Sequence, residues 1–357
     1  MQNRELLIGI QQAAPEGFSE RWEAALREQK VQIRRLDLLG TEPLKQVEGC
    51  DGVMWHWYHY PSEIRWAALP LLRVIEERLR IPVFPDLATC WHYDDKIAQS
   101  YLLEALEIPC PKTWIFWREA DARVWCEQAE YPVVAKLSGG AGSTNVRLIR
   151  SVSEARAYVE ECFSGAGVVA RPPLPAGAGA RVWARAKRAA KRAAHALPYV
   201  LADRFPALPD QTYWMPHKNY ALFQEFLPGN EFDTRVTVVG ERAFAFRRLN
   251  RSGDFRASGS GRIDHDPGAI DARCVTAAFA AARRLGAQSV AFDFLFRGET
   301  CEPGGGEISY AYADGAVERW PGHWGARRQW REGHLWPEEA HVEDFLARIR
   351  GGAAAAP

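Results

Sequence analysis

The hydrophobic positions of the first part of the chain alternate between two periods. ELLIGI at 5–10 reads as a strand, apolar from Leu6 on, and a helix-spaced pattern follows over about 18–30. VQIRRL (31–36) and DGVMWHW (51–57) are strand-like again, 62–80 is a long amphipathic helix, and IPVFPD (81–86) closes the series as a short strand. Strands alternating with helices predict a small parallel α/β domain over residues 1–88. Sites in such a sheet lie at strand C-termini, where His56 and His59 fall beside Trp57 and Tyr58. The pattern leaves two readings of these histidines open: contacts to a substrate, or satisfied interfacial residues.

From residue 89 the texture changes towards α+β. A helix of about a dozen residues and then a strand are predicted within 89–117, and YPVVAKLSGGAGSTNVRLIR (131–150) reads as strand, glycine-rich loop, strand. SVSEARAYVEECF (151–163) is a helix capped at Ser151 or Ser153. Residues 171–198 are Pro-, Gly- and Ala-rich and then basic. FQEFLPGNEFDTRVTVVGERAFAFRRLNR (223–251) gives several strands with Gly turns, and DARCVTAAFAAARRLG gives an Ala-rich helix ending at Gly286. AFDFLFRGETCEPGGGEISYAYA (291–313) supplies a last hairpin, and the terminal GGAAAAP is expected to fray.

Composition adds exclusions. A chain of 357 residues, 47% hydrophobic, can bury a sizeable core in two or three domains. Its formal net charge of zero gives no global reason to expect nucleic acid or an anionic membrane as partner. No apolar run is long enough to span a bilayer, and MQNRELLIGI reads as a first strand rather than a secretory leader. Seven scattered cysteines without a CxxC pair fit buried thiols in a reduced, cytoplasmic protein.

Four pieces carry candidate chemistry. Lys136 closes a β-branched strand and faces the loop Ser138-Gly139-Gly140-Ala141-Gly142-Ser143, whose backbone N–H groups can form a phosphate nest beside the ammonium. The loop lacks the GK[ST] of a P-loop, and taken alone it reads first as a plain hairpin loop. In FQEFLPGNE, backbone groups around Glu225 and Leu227 can read an adenine, and Glu231 can accept from ribose hydroxyls. Arg235, Arg247 and Arg248 lie on adjacent strands, where guanidinium groups clamp phosphate or carboxylate; one of the 247/248 pair must face each side. Asp293 sits in an apolar strand, and Glu307 and Ser309 share a face of the returning one. Two carboxylates brought together there would repel unless a divalent cation held them, and Mg²⁺ uses such carboxylates together with nucleotide phosphates.

The order of these pieces resembles the ATP-grasp superfamily, over roughly 89–340, with the first 85 residues matching its preceding α/β domain. The resemblance implies a pre-ATP-grasp domain (1–88) and an ATP-grasp domain (89–345), with a lid of about 112–220 and a metal-binding part of about 221–345. It implies that Lys96 and Lys136 contact nucleotide phosphates, that Glu225, Phe226 and Leu227 contact the adenine, and that Glu231 holds the ribose. Ser138, Gly139, Gly140 and Gly142 then form a phosphate-covering loop. The metal pattern D…E-x-N maps onto Asp293, Glu307 and Ser309, binding Mg²⁺ or Mn²⁺; Ser309 departs from the usual Asn, and Glu302 is a fallback ligand. The sequence looks most like the ribosomal-S6-modification and polysaccharide-cluster types.

That resemblance implies an ATP-dependent carboxylate–amine ligase, working through an acyl phosphate and releasing ADP and phosphate. Arg248, Arg256 and Arg235 are the catalytic cations it points to. The partners are a small-molecule, peptide- or saccharide-linked carboxylate and an amine, with a homodimer as a further expectation. A phosphotransferase and a non-catalytic ATP-binding protein are the competing readings. The basic stretch 181–196 reads as a solvated helix face or a contact to a polyanionic substrate; the resemblance implies that the polar loop 247–262, with Arg251, Arg256 and Ser258, crosses the site. The Trp- and His-rich segment 320–338 either walls a pocket or covers the core.

Overall fold

The computed structural model describes residues 5–12, 17–59, 63–140, 146–168, 216–251, 253–258, 260–298, 303–310, 312 and 319–354; at 63, 303–307 and 352–354 only the backbone is described. The chain divides into two compact units. One comprises 1–58, 63–112 and 226–357, the other 59–62 and 113–225.

The first unit opens with the alternation read from the sequence. Strand β1 (Leu7–Gln11) is followed by α1 (Ser19–Glu28), β2 (Gln32–Leu36), the short α2 (Pro43–Gln46), β3 (Gly52–Met54), α3 (Glu63–Glu77) and β4 (Val83–Phe84). The strands pair in parallel in the order β2-β1-β3-β4. α4 (Leu87–Cys90) and α5 (Lys96–Ala105) follow, each capped by the aspartate before it: Asp86 accepts from Thr89 N, and Asp95 from Ile97 N and Ala98 N.

The second unit holds β5 (Thr113–Phe116), α6 (Glu119–Gln128), β6 (Val133–Lys136), β7 (Val146–Ile149), α7 (Val152–Phe163) and β8 (Ala221–Glu225). Its strands run antiparallel in the order β5-β8-β6-β7. Ser151 is the N-cap of α7, its hydroxyl accepting from Glu154 N. Ala135, Tyr158, Val159, Ala221 and Phe223 meet in the core between strands and helices.

The first unit resumes with β9 (Phe232–Val239), β10 (Arg242–Leu249), β11 (Ile263–Asp264), α8 (Ala272–Leu285), β12 (Ser289–Phe296), β13 (Pro303–Ser309), β14 (Gly322–Gly325), β15 (Trp330–Glu332) and α9 (Pro337–Ala354). The strands form an antiparallel sheet in the order β13-β12-β9-β10-β14-β15, with β11 on β10. α8 ends where expected, at Gly286, whose φ of 63° is the left-handed conformation a glycine supplies without a Cβ penalty. GGAAAAP does not fray from its first residue: α9 runs on to Ala354, because alanines continue a helix readily.

The two faces of this sheet differ, and the period of two assigns them. Val236 and Val238 of β9, Ala243 and Ala245 of β10 and Phe292 of β12 pack on α8. On the opposite face Val239, Phe244 and Phe246 join Trp22 of α1, Trp320, and Phe345 and Leu346 of α9. Trp320 is stacked on Phe244 at 4.8 Å between centroids, so that part of the Trp-rich C-terminal segment covers core. Gln288 ties this sheet to the parallel one: its backbone N–H donates to Thr89 Oγ1 (2.8 Å), and its side chain accepts from Asp86 N and donates to Val83 O.

Candidate functional site

Farther along that second face, the apolar residues give way to charge. In β9, Asp233 and Arg235 share a face by alternation, and pairing sets Arg235 opposite Asp293 of β12 and Asp233 opposite Arg248 of β10. Four charged side chains thus converge on three neighbouring strands. Arg235 grips Asp293 with both prongs, Nε to Oδ1 at 2.6 Å and Nη2 to Oδ2 at 2.8 Å. Arg248 grips Asp233 in the same way, at 2.7 and 2.6 Å, and its Nη2 also lies 2.6 Å from Asp293 Oδ2. Two acids and two arginines leave no net charge, which is the condition for keeping such a cluster out of water.

The electrostatics follow. Burial pushes the Asp293 carboxyl upward, and Arg235 and Arg248 outweigh it, holding the group well below the usual carboxylate range. Asp233 is pushed upward by burial, Arg248 opposing, with the Asp293 charge beside it adding to the rise. Of the two acids, Asp233 is therefore the first to take a proton. Burial works against the charge of Arg248, but Asp293 and Asp233 hold it firmly protonated.

Arg247 points the other way, to Asp264 of β11 (Nη2 to Oδ2, 2.5 Å), so the 247/248 pair divides between the faces as alternation requires. Arg256 does not join the cluster: its guanidinium forks onto Asp254, with Nε 2.9 and 3.0 Å from the two oxygens. A salt bridge two residues away in its own loop satisfies it more cheaply than a reach across the sheet.

β13 carries the other metal candidates. Phe292 pairs with Ile308 and Phe294 with Gly305, so a bulge places positions 306 and 307 opposite Asp293. Ser309 pairs with Ala291 and is buried. Among the described residues no group of three His, Cys, Asp or Glu side chains gathers into a metal cage. The donor types at 293, 307 and 309 are all oxygens, which suits a hard divalent cation. Asp293 already accepts three N–H bonds, however, and a carboxylate offers about four acceptor positions. Its burial is compensated by arginines, so burial alone does not require a cation, contrary to the sequence argument. The residues fit Mg²⁺ in kind, with Asp293 open to it once a guanidinium withdraws.

Lys96 is buried at the first turn of α5. One turn on, Gln99 Nε2 donates to Ile308 O (2.9 Å) and His92 O (3.1 Å), tying the helix of Lys96 to the strand of Ser309. The turn after Leu227 is clasped by Asn230, a residue the sequence reading passed over. Its Nδ2 donates to Phe296 O at 2.8 Å and its Oδ1 accepts from Phe296 N at 2.8 Å, while Asn250 Nδ2 donates to Asn230 O at 2.7 Å. Leu227 is buried and Glu231 exposed. Phe226 meets Phe255 of the 250–262 loop edge to face, at 5.6 Å.

In the second unit, Lys136 ends β6, and its carbonyl accepts from Tyr158 OH at 3.0 Å. The glycine-rich loop is pinned at its root: Ser138 N donates to Tyr220 OH (2.7 Å), which also bonds His217 Nδ1 (2.7 Å). Gly140 has φ 102°, which a side chain would strain. Glu225 ends β8, paired with Val133. Gly142, Ser143, Glu302 and the basic stretch 181–196 lie outside the described residues.

Just past β3, His56 is buried, stacked on Phe18 at 3.8 Å, and Phe18 N donates to its Nδ1 at 3.4 Å. Trp57 is buried too, its backbone N–H donating to Tyr310 OH at 3.3 Å. Asp233 is the residue of the charged cluster that sequence reasoning missed. Its signal was an acid two positions before Arg235 in a strand otherwise of Val, Thr and Phe.

No protein-family model matches the sequence, nor does any curated protein. Solved structures do match in fold. A RimK-domain ATP-grasp protein from Sphaerobacter thermophilus superposes with a TM-score of 0.54 at 13% identity, over 96% of this chain and 99% of that one. N5-carboxyaminoimidazole ribonucleotide synthetase from Thermotoga maritima gives 0.57 at 12%, over 96% and 76%. D-alanine–D-alanine ligase from Bacillus anthracis, complexed with ATP, gives 0.55 at 10%, over 98% and 100%. With its parallel sheet, its antiparallel sheets and matches that span 96–98% of its length, the protein has the ATP-grasp fold.

Proposed function

We propose that this protein is an ATP-dependent carboxylate–amine ligase. The reading is carried by the Asp233–Arg248–Asp293–Arg235 cluster, set beside Ser309 on the sheet of an ATP-grasp fold. Cations and acids desolvated together suit the transfer of a highly charged phosphoryl group, where positioning and electrostatics do most of the work. Similar structures include a ribonucleotide synthetase and a ligase complexed with ATP, which supports a nucleotide as first substrate.

In this reading residues 1–88 precede an ATP-grasp domain of 89–345. Lys96 and Lys136 neutralise nucleotide phosphates, and Ser138, Gly139, Gly140 and Gly142 cover them. Glu225, Phe226 and Leu227 read the adenine, and Glu231 takes the ribose. Mg²⁺ held by Asp293, Glu307 and Ser309 would offset charge on the phosphates when bound. Arg248, fixed by Asp233, faces the transferring phosphoryl group with the donors that the two acids leave over. Arg256 neutralises the acceptor carboxylate, and Arg235 adds a cation on the side of the nucleotide phosphates. The γ-phosphoryl passes to that carboxylate, releasing ADP; an amine then attacks the acyl carbon and phosphate leaves. No side-chain nucleophile is needed, but water must be kept away from the acyl phosphate.

Trapping tests this. The protein is incubated with ATP, Mg²⁺, hydroxylamine and a small-molecule cell extract, and products are read by mass spectrometry against Asp293→Ala. The expected outcome is a hydroxamate formed by the unmutated protein alone, which also names the acid. A phosphorylated metabolite without hydroxamate would replace the ligase by a phosphotransferase, and ATP binding without any product would sink both.

A further inference from the structure

The charged cluster contains an asymmetry that the proposed reaction leaves unused. Arg248 spans two carboxylates: three of its five N–H donors are spent, two on Asp233 and one on Asp293. Among the described residues Arg235 is held through Asp293 alone, and its side chain is the most solvent-reached of the four, at 18% against 9–12% for the others. Asp293 is thus the shared acceptor, Arg248 the anchored cation and Arg235 the releasable one.

A divalent cation placed on Asp293 would meet two guanidinium charges on the same carboxylate. With Asp233 committed to Arg248, the four side chains sum to zero, so the cluster itself adds no net charge to draw a free cation onto Asp293. Withdrawing Arg235 changes both terms. It frees two acceptor positions on Asp293 and leaves the remaining three groups with a charge of minus one. The withdrawn guanidinium then needs an anion, and a polyphosphate fits its planar fork.

We propose that Arg235 is an exchangeable plug on Asp293, yielding the carboxylate to a divalent cation only when a nucleotide polyphosphate receives the guanidinium, while Asp233 keeps Arg248 in place. The inference rests on the ligase reading for the identity of the polyphosphate. Metal and nucleotide therefore bind with positive coupling, each tightening the other by the same factor. Free cation does not occupy the site by itself, so the acid is not loaded before the phosphates it serves.

Mn²⁺ titration followed by the free-ion electron paramagnetic resonance signal decides this. It is run on the full chain with and without adenylyl imidodiphosphate, a non-hydrolysable ATP analogue. Without nucleotide, Arg235→Met is expected to bind one Mn²⁺ at least tenfold more tightly than the unmutated protein, and adding Asp293→Asn should abolish the gain. The analogue should raise Mn²⁺ affinity more in the unmutated protein than in Arg235→Met, whose plug is already gone. Equal Mn²⁺ binding by the two proteins without nucleotide overturns the inference, as does a gain that survives Asp293→Asn. Should Arg235→Met not fold, Arg235→Gln removes the charge while keeping a polar head; a several-fold gain then supports the exchange and no gain overturns it. If equilibrium dialysis shows that the analogue binds neither protein, the ligase reading falls, while the comparison without nucleotide still decides the plug.

Discussion

Arg248 is the residue on which two buried acids depend, so it sets the stability of its face of the sheet as well as its proposed chemistry. Arg248→Met leaves Asp233 with no guanidinium and Asp293 with one, and breaking a buried pair from one side costs about 3–5 kcal/mol. Asp233→Asn combined with Arg248→Met removes the charge together with its partner. The double variant is expected to recover at least part of that loss, since its groups no longer carry an unpaired charge. Urea unfolding of the three proteins, read from midpoint and slope, checks the order: unmutated, double, then Arg248→Met. At this scale the sequence was legible where alternation decides. FDTR and FRRL fix which side chains share a face, and hence that Arg247 and Arg248 part company. It was illegible where strand order decides, because the neighbours that bring Asp233 and Asp293 onto one arginine lie 15 and 45 residues away.

At the level of elements, short polar clasps hold the candidate site's segments in register. Asn230 closes the Pro228-Gly229 turn onto the end of β12 through three hydrogen bonds of its own side chain, to Phe296 twice and to Leu227. Asn230→Ala removes all three and leaves the Phe296 groups to find water. A loss of about 1–3 kcal/mol is expected, together with a KM for ATP that rises more than kcat falls, because the clasp positions Leu227 and Glu231 rather than any reacting atom. Tyr220 does the same for the glycine-rich loop. Tyr220→Phe should leave global stability within about 1 kcal/mol and speed amide hydrogen exchange at Ser138, which loses its acceptor. The strands and helices themselves were largely readable: β1 to β4, the cap at Ser151, the stop at Gly286 and the β12–β13 pairing all follow from period and turn chemistry. The clasps were not, because one Asn or Tyr in a turn looks like any other until its distant partner is known.

For the molecule as a whole, the histidines govern behaviour in mild acid. The sequence shows nine of them but not which are buried, since burial is a property of the packed whole. His341 is fully enclosed, accepting from Trp22 Nε1 at 3.4 Å with Nε2 3.2 Å from Ser289 Oγ, and burial holds it well below its ordinary range. His92, between α4 and α5, is 1% exposed. Burial foremost, with Arg65 adding and with the backbone of His92 and Ala88 and the Asp95 carboxylate opposing, pushes it down to about 4 from an ordinary 6.5. As pH falls through about 6.5 the unfolded chain takes up a proton at this position, while the folded chain declines it until about 4. The unfolded state therefore binds more protons across that window, and stability present above it is lost as pH falls. For His92 the loss amounts to about 3 kcal/mol by pH 4, at about 1.36 kcal/mol per pH unit. His92→Phe keeps an aromatic ring of similar size and removes the titration. The difference in unfolding free energy between the two proteins is expected to be flat above pH 7 and to move in favour of His92→Phe from pH 6.5 to 4. All other groups are common to both chains and cancel in that difference, so a curve that stays flat across the window would mean that His92 takes its proton within the fold.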